Sequence, residues 1–266
     1  MIETPFNYTG SKFKLLPQLL PEMDYSKNDF VDLFCGGGSV YTNVVDKYQK
    51  IIVNDIISEL IDIHKALIKD DSIIESVKSR VVSKDDVEGY AELRKNFNKY
   101  RNCDDLWALM LCCNSNMMRF NQKFEFNQTF GKRTFNNSTQ NKIDVFKEHI
   151  RKYVNKIQFT SKHFSDIKLN NPCMVYIDPP YSNSEAGYNA YWKKDDDIKL
   201  YNYCKELDNN GSSFMLSGIL SHGGKKCELL ESLISDNYQY KELEFDYNKV
   251  SKVGRKDTVE IIIKNY

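Results

Sequence analysis

The chain is expected to fold as an α/β protein, with a mostly parallel sheet carrying an antiparallel edge strand and interrupted by a mainly helical insert. Three observations lead there. A strand, a glycine turn, a helix and a second strand follow one another between Phe30 and Val53. Helical periodicity then replaces strand signals up to residue 156, and strand signals return from Ile157 to the end.

Each element has its own reason. Phe30 to Phe34 and Ile51 to Val53 are short apolar runs, and Ser39 to Tyr48 between them is long enough for one helix. Over Ser58 to Lys69, the residues Leu60, Ile61, Ile63, Leu67 and Ile68 recur at helical spacing, and further helical patterns cover Lys84 to Tyr100 and Asp105 to Cys113. Later strands are expected at Ile157 to Phe159, Cys173 to Ile177, Phe214 to Leu216, Glu242 to Tyr247 and Val259 to Ile263. The last two read as an antiparallel pair at a sheet edge. Residues 1–57 and 157–266 are accordingly assigned to the core and 58–156 to the insert, which includes a hairpin loop over 114–140.

With 266 residues, 41% of them hydrophobic, the chain can bury a substantial core. It has no apolar run of membrane-spanning length, and Met1 to Pro5 lacks the basic and apolar parts of a signal peptide, so a cytoplasmic setting with no membrane contact is expected. Seven scattered cysteines without a C-x-x-C pair indicate neither a disulfide framework nor a zinc site, and no metal is expected. The formal net charge is zero, yet Asn114 to Lys142 holds five basic residues against the single acid Glu125. That stretch interleaves Phe120, Phe124, Phe126, Phe130 and Phe135 with the bases and reads as a DNA-facing loop. A surface hairpin with inward-packed phenylalanines is the alternative.

Two places carry chemistry. Asp178-Pro179-Pro180-Tyr181 follows an apolar strand, and consecutive prolines end that strand, leaving an aspartate and a tyrosine at its tip. A carboxylate beside a backbone carbonyl can grip both hydrogens of a planar exocyclic amine while the tyrosine stacks on the ring that bears it. At the other place, Val31 to Ser39 is strand, glycine loop and helix start, and Asp55 stands 19 positions after Gly36, where an acid reaches ribose hydroxyls. The loop has neither a phosphate-binding lysine motif nor G-x-G-x-x-G, which favours S-adenosylmethionine over ATP or a nicotinamide cofactor.

Tyr8-Thr9-Gly10-Ser11-Lys12, Asp32-Leu33-Phe34-Cys35-Gly36-Gly37, Asn54-Asp55, His163-Phe164 and Asp178-Pro179-Pro180-Tyr181, in this order and nearly end to end, resemble the motifs of the Dam-type DNA adenine methyltransferases of the D12 class. The chain looks closest to their short bacteriophage form. The resemblance implies a Rossmann-like S-adenosylmethionine-dependent methyltransferase core with an inserted target-recognition domain. It further implies methylation of adenine N6 in double-stranded DNA, within GATC, by base flipping, with S-adenosyl-L-homocysteine as product. Carried over by motif, Asp178, Pro179, Pro180 and Tyr181 are catalytic, and Tyr8, Lys12, Asp32, Phe34, Gly36, Gly37, Asp55, Phe164 and Asp178 bind the donor. Ser115, Met117, Arg119, Lys132 and Arg133 contact DNA. No obligatory protein partner is implied, and a monomer or weak dimer is expected. The competing readings are a different target sequence, an RNA substrate, the exocyclic amine of cytosine, and a catalytically silent DNA-binding regulator.

Overall fold

The computed structural model describes residues 1–6, 8, 10–180, 192–244 and 258–266. A turn of 3-10 helix at Lys12–Leu15 leads into α1 (Leu16–Leu19), which precedes β1 (Asp29–Asp32), α2 (Ser39–Val44) and β2 (Lys50–Asn54). Five helices follow: α3 (Ser58–Lys69), α4 (Ser72–Arg80), α5 (Val87–Tyr100), α6 (Cys103–Cys112) and α7 (Asn137–Ile150). The chain then returns to the sheet with β3 (Ile157–Thr160), β4 (Met174–Ile177), α8 (Lys194–Asn209), β5 (Ser213–His222), β6 (Lys225–Lys226), α9 (Glu228–Ser235), β7 (Gln239–Leu243) and β8 (Val259–Lys264).

The sheet runs β3-β2-β1-β4-β5-β8-β7, with β6 hairpinned onto β5. Pairings from β3 through β5 are parallel, and β8 joins both β5 and β7 antiparallel. This is the expected fold class, a mostly parallel sheet with an antiparallel edge. Strand order reverses between β1 and β4, because the chain moves outward to β2 and β3 before crossing back. The crevice beyond the carboxyl ends of those two strands is where such sheets bind ligands.

Several boundaries differ from the sequence reading. β7 begins three residues before Glu242 and ends at Leu243, and residues 245–247 of the expected strand, like Tyr181, lie outside the described residues. α2 stops at Val44 and α5 starts at Val87, where the Asp86 side chain accepts the Gly89 N–H and caps the helix. α4 and α7 are additional helices that the sequence patterns above do not include, and α7 begins inside the 114–140 loop. Asn136 caps it through the Thr139 N–H, and its buried Ile143, Phe146 and Ile150 fall at helical spacing.

Apolar packing is continuous across the assigned boundary at residue 58. Phe6, Tyr41 and Val53 of the sheet region and Leu60, Trp107 and Phe146 of the helical region belong to one buried cluster. A second cluster covers the opposite face through Val175, Ile177, Leu200, Phe214 and Leu230. His222-Gly223-Gly224-Lys225 forms a tight turn between β5 and β6, with both glycines at positive φ. Cys173 is packed in the core, as its position before β4 suggests.

Candidate active site

Asp178 stands one residue beyond β4, so pleat alternation puts its side chain on the same face as Tyr176. Lys12 Nζ lies 2.7 Å from one carboxylate oxygen and donates to the other at 2.8 Å. Ser217 Oγ donates to Oδ1 at 3.2 Å and lies 2.8 Å from the Tyr176 hydroxyl. Glu260, 6% exposed on β8, approaches Lys12 to 3.8 Å. Burial opposes the charge on Lys12, but the Asp178 carboxylate, with Tyr176 and Glu260 behind it, outweighs that penalty and raises the ammonium pKa. Lys12, expected at the methyl donor, is thus tied to the Asp178 corner. Pro179 is buried and Pro180 half-buried beside it.

The glycine loop is braced from below. Asp55, at the end of β2, accepts the Gly36 N–H on one oxygen and the Ile57 N–H on the other, both at 3.0 Å. His64 of α3 is fully buried, with Nε2 3.0 Å from the Gly36 carbonyl and Nδ1 2.9 Å from the Tyr41 hydroxyl. A carbonyl only accepts, so Nε2 carries the proton and Nδ1 accepts from Tyr41; burial holds the imidazole neutral, with its pKa lowered to about 4. Tyr8 lies over the loop: a Cβ added at Gly37 would come within 2.7 Å of the Tyr8 Cβ, so only glycine permits this approach. Gly36 and Gly38 adopt positive φ, which glycine takes without strain.

Asp32 closes the base of the same crevice. It is 1% exposed and accepts the Tyr41 N–H at 3.1 Å, so its side chain anchors the first turn of α2 instead of facing open space. Burial pushes its pKa up to about 8, against the Tyr41 N–H, with the charges of Asp178 and Asp55 adding to the rise. The sign follows from linkage. Between about pH 4 and 8 the unfolded chain has released this proton and the folded chain still holds it, so stability falls as pH rises. His64 works the other way between about 4 and 6.5 and offsets the slope there. Wild-type urea midpoints are therefore expected to decline between pH 6.5 and 8, and Asp32→Asn, a close mimic of the protonated acid, to flatten that decline. An unchanged slope would show that Asp32 is ionised in the folded chain.

Beside the loop, Phe34, Phe164 and Trp192 form an aromatic group, with ring centroids 5.5 to 5.7 Å apart. Phe34 is half-buried, whereas Phe164 is 2% exposed and also meets the Tyr203 ring. The ring that the resemblance places beside the donor's adenine therefore belongs to the wall behind Phe34. Trp192 donates to Asp197 and packs in this group.

The polar stretch after α6 forms an antiparallel hairpin. Cys113 bridges Phe130 and Phe120 bridges Phe126, closed by a turn in which Phe124 N–H donates to the Asn121 carbonyl. Phe120 and Phe126 are buried edge-to-face against one another and Phe126 meets Phe97 the same way, while Phe130 stacks on Tyr90 at 4.9 Å. The inward reading holds for these three rings, and Phe124 remains exposed. Packing them inward turns the polar set outward: Ser115, Arg119, Lys132 and Arg133 are exposed and Met117 is half-buried. Asn116, buried by donating to the Met110 and Leu111 carbonyls at the end of α6, offers its Oδ1 to Arg133. Ser115, Asn116, Phe124 and Lys132 all have positive φ, a concentration of left-handed backbone at this hairpin.

Sequence reasoning passed over Ser217, Tyr176, His64 and Glu260. Ser217 had one visible signal, a hydroxyl ending the apolar run Phe214-Met215-Leu216. The distant contacts of the others had none.

A glycine loop, a carboxylate under that loop and an aspartate–proline corner thus face one crevice at the strand-order reversal, the place where α/β sheets hold ligands. The chain belongs to the D12 class N6 adenine-specific DNA methyltransferase family, whose sequence profile matches residues 8–249. Among relatives, it is 30% identical over 287 residues to the modification methylase StsI of Streptococcus sanguinis, covering 100% of this chain and 43% of that protein. It is 31% identical over 283 residues to the type II methyltransferase M.FokI of Planomicrobium okeanokoites, again 100% of this chain and 43% of the relative. The chain thus spans less than half the length of these two relatives. The type II methyltransferase M.CviBI of Paramecium bursaria Chlorella virus NC1A is 25% identical, covering 91% of this chain and 93% of its own length. The matches to these methylases support the D12 class and do not single out its Dam-type or phage forms. No helix of the described residues is long and apolar enough to cross a membrane.

Proposed function

We propose that this chain transfers a methyl group from S-adenosylmethionine to the N6 amine of an adenine turned out of duplex DNA. One observation carries the reading above the others. The Asp178 carboxylate, at the strand-order reversal, is held on both oxygens by a buried lysine and braced by a serine, as a fixed acceptor should be.

The donor fits the residues present. The glycine loop is braced by an acid, Asp55, and a neutral imidazole, His64, a setting that suits hydroxyls and an uncharged nucleoside better than a phosphate. Asp55 has about four lone-pair directions. The Gly36 and Ile57 N–H groups take two of them and the Ile56 N–H also bonds the carboxylate, which leaves one for a ribose hydroxyl. Gly36, Gly37, Tyr8 and Phe34 would frame the nucleoside. When bound, the sulfonium supplies a methyl group already activated for displacement.

The chain's own work is then on the amine. Extruding the base costs a few kcal/mol, and a stacking ring such as that of Tyr181 returns about 1–3 kcal/mol. Asp178 and the Pro179 carbonyl accept the two amine hydrogens, favour a pyramidal nitrogen, and stabilise the positive charge that grows there. Residues 58–156 carry target reading, with Arg119 and Arg133 as candidates for the two acceptors of guanine. GATC is the target proposed on the hairpin's likeness to Dam-type enzymes. The monomeric or weakly dimeric state and cytoplasmic setting belong to the same proposal.

Sequencing modified bases in plasmid DNA from a methylation-deficient strain expressing the chain tests chemistry and target together. The expected product is N6-methyladenine in one context, GATC. Arg119→Ala or Arg133→Ala is expected to relax one position of that context by about 1–3 kcal/mol if the arginine reads a base. N6-methyladenine in another context would overturn the target alone, and unmodified DNA or N4-methylcytosine would overturn the reaction.

A further inference from the structure

We infer that Ser217 and Tyr176 are positioning residues that orient the Asp178 carboxylate through a two-hydroxyl relay. The inference rests on the catalytic role proposed for Asp178. β4 and β5 are parallel, with Tyr176 beside Met215 and Ile177 beside Leu216, and the same register brings Ser217 alongside Asp178. Alternation along both strands puts Tyr176, Asp178, Met215 and Ser217 on one face. Ser217 is 0% exposed and Tyr176 is 1% exposed, so no solvent competes for their hydroxyls.

Proton counting fixes the direction of the relay. An ionised carboxylate only accepts, so Ser217 spends its single proton on Asp178 Oδ1 at 3.2 Å. Its oxygen must then accept from Tyr176, whose hydroxyl lies at 2.8 Å. The terminal torsion of a carboxylate has a broad minimum, and one ammonium is a point charge that does not by itself select the plane of the group. A second donor from a neighbouring strand, itself pinned by a rigid phenol, fixes the plane of the group. Small misplacements matter at this point, because an acceptor about 1 Å off line costs up to about 100-fold in rate.

The test is a double-mutant cycle on the full chain with Ser217→Ala, Tyr176→Phe and the double variant. Each change deletes one hydroxyl and leaves no large cavity. Ser217→Ala is expected to lower kcat by roughly 10-fold or more, with Kd for S-adenosylmethionine and KM for DNA within about twofold of wild type. Tyr176→Phe is expected to give a smaller loss, and the double variant should match Ser217→Ala within about twofold, because the Tyr176 hydroxyl reaches Asp178 through Ser217. Wild-type turnover in Ser217→Ala, a loss confined to donor or DNA binding, or a fully additive double variant would each overturn the relay. Thermal melting of the same four proteins reads the coupling independently of activity: non-additive Tm shifts support the relay and additive shifts overturn it. If the wild type methylated no DNA, the melting cycle would still decide this inference, and the fault would lie with the proposed function.

Discussion

Asp178→Ala is expected to slow methyl transfer by about 10³-fold while the chain still binds S-adenosylmethionine, the largest effect on activity anticipated for a single residue. The size follows from the role. Removing one preorganised partner of a charge that develops in the transition state costs on the order of 10² to 10³ in kcat. Asp178 is moreover the point where Lys12, Ser217 and, through them, Tyr176 and Glu260 converge. Asp178→Asn keeps an oxygen for one amine hydrogen and should fall between alanine and wild type. Single-turnover kinetics with labelled donor, together with calorimetric donor binding, separates lost chemistry from lost binding. A variant that turns over near the wild-type rate would remove Asp178 from the reaction.

The largest effect on stability is expected at the other end of the same ion pair. Lys12 is 6% exposed at the side chain and Asp178 is 19% exposed, so the pair is mostly dry. Breaking a buried pair by removing one partner costs about 3–5 kcal/mol, mainly because the remaining charge is stranded. Lys12→Met strands Asp178 beside Glu260, and a drop in Tm of roughly 10 °C is expected for a chain of this size. Lys12→Met combined with Asp178→Asn removes both members and should recover much of that loss, since neutral replacement of a buried pair is often tolerated. Additive losses in the double variant would mean that the two residues are not coupled. Differential scanning calorimetry at fixed pH and salt distinguishes the outcomes.

What the sequence made legible was local. The apolar run before Asp178, the prolines after it and the glycines after Phe34 are signals within a few residues, and the structure places them at the carboxyl ends of β4 and β1, across the reversal in strand order. What escaped depends on contacts between distant residues. Lys12 and Asp178 are 166 positions apart, and Ser217 is 39 from Asp178. Strand register brings Ser217 there, and no local pattern encodes register between parallel strands. α7 was missed because Asn136 and the polar residues after it read as loop, although the same asparagine is the cap that starts the helix. Asp32 shows the converse difficulty. Its motif suggests a ligand contact, and its carboxyl also holds the N-terminal turn of α2, a need visible only once strand and helix are packed. In the hairpin Phe120, Phe126 and Phe130 turn inward, as the alternative reading has it, and Arg119, Lys132 and Arg133 are exposed.

The central claim concerns one carboxylate and one amine, and a crystal structure of the chain with S-adenosyl-L-homocysteine and a target duplex measures it directly. The account predicts an adenine outside the helix stack, with N6 within about 3.2 Å of an Asp178 oxygen and of the Pro179 carbonyl. An Asp178 side chain still closed onto Lys12 and remote from every base, with the duplex stacked throughout, would contradict it.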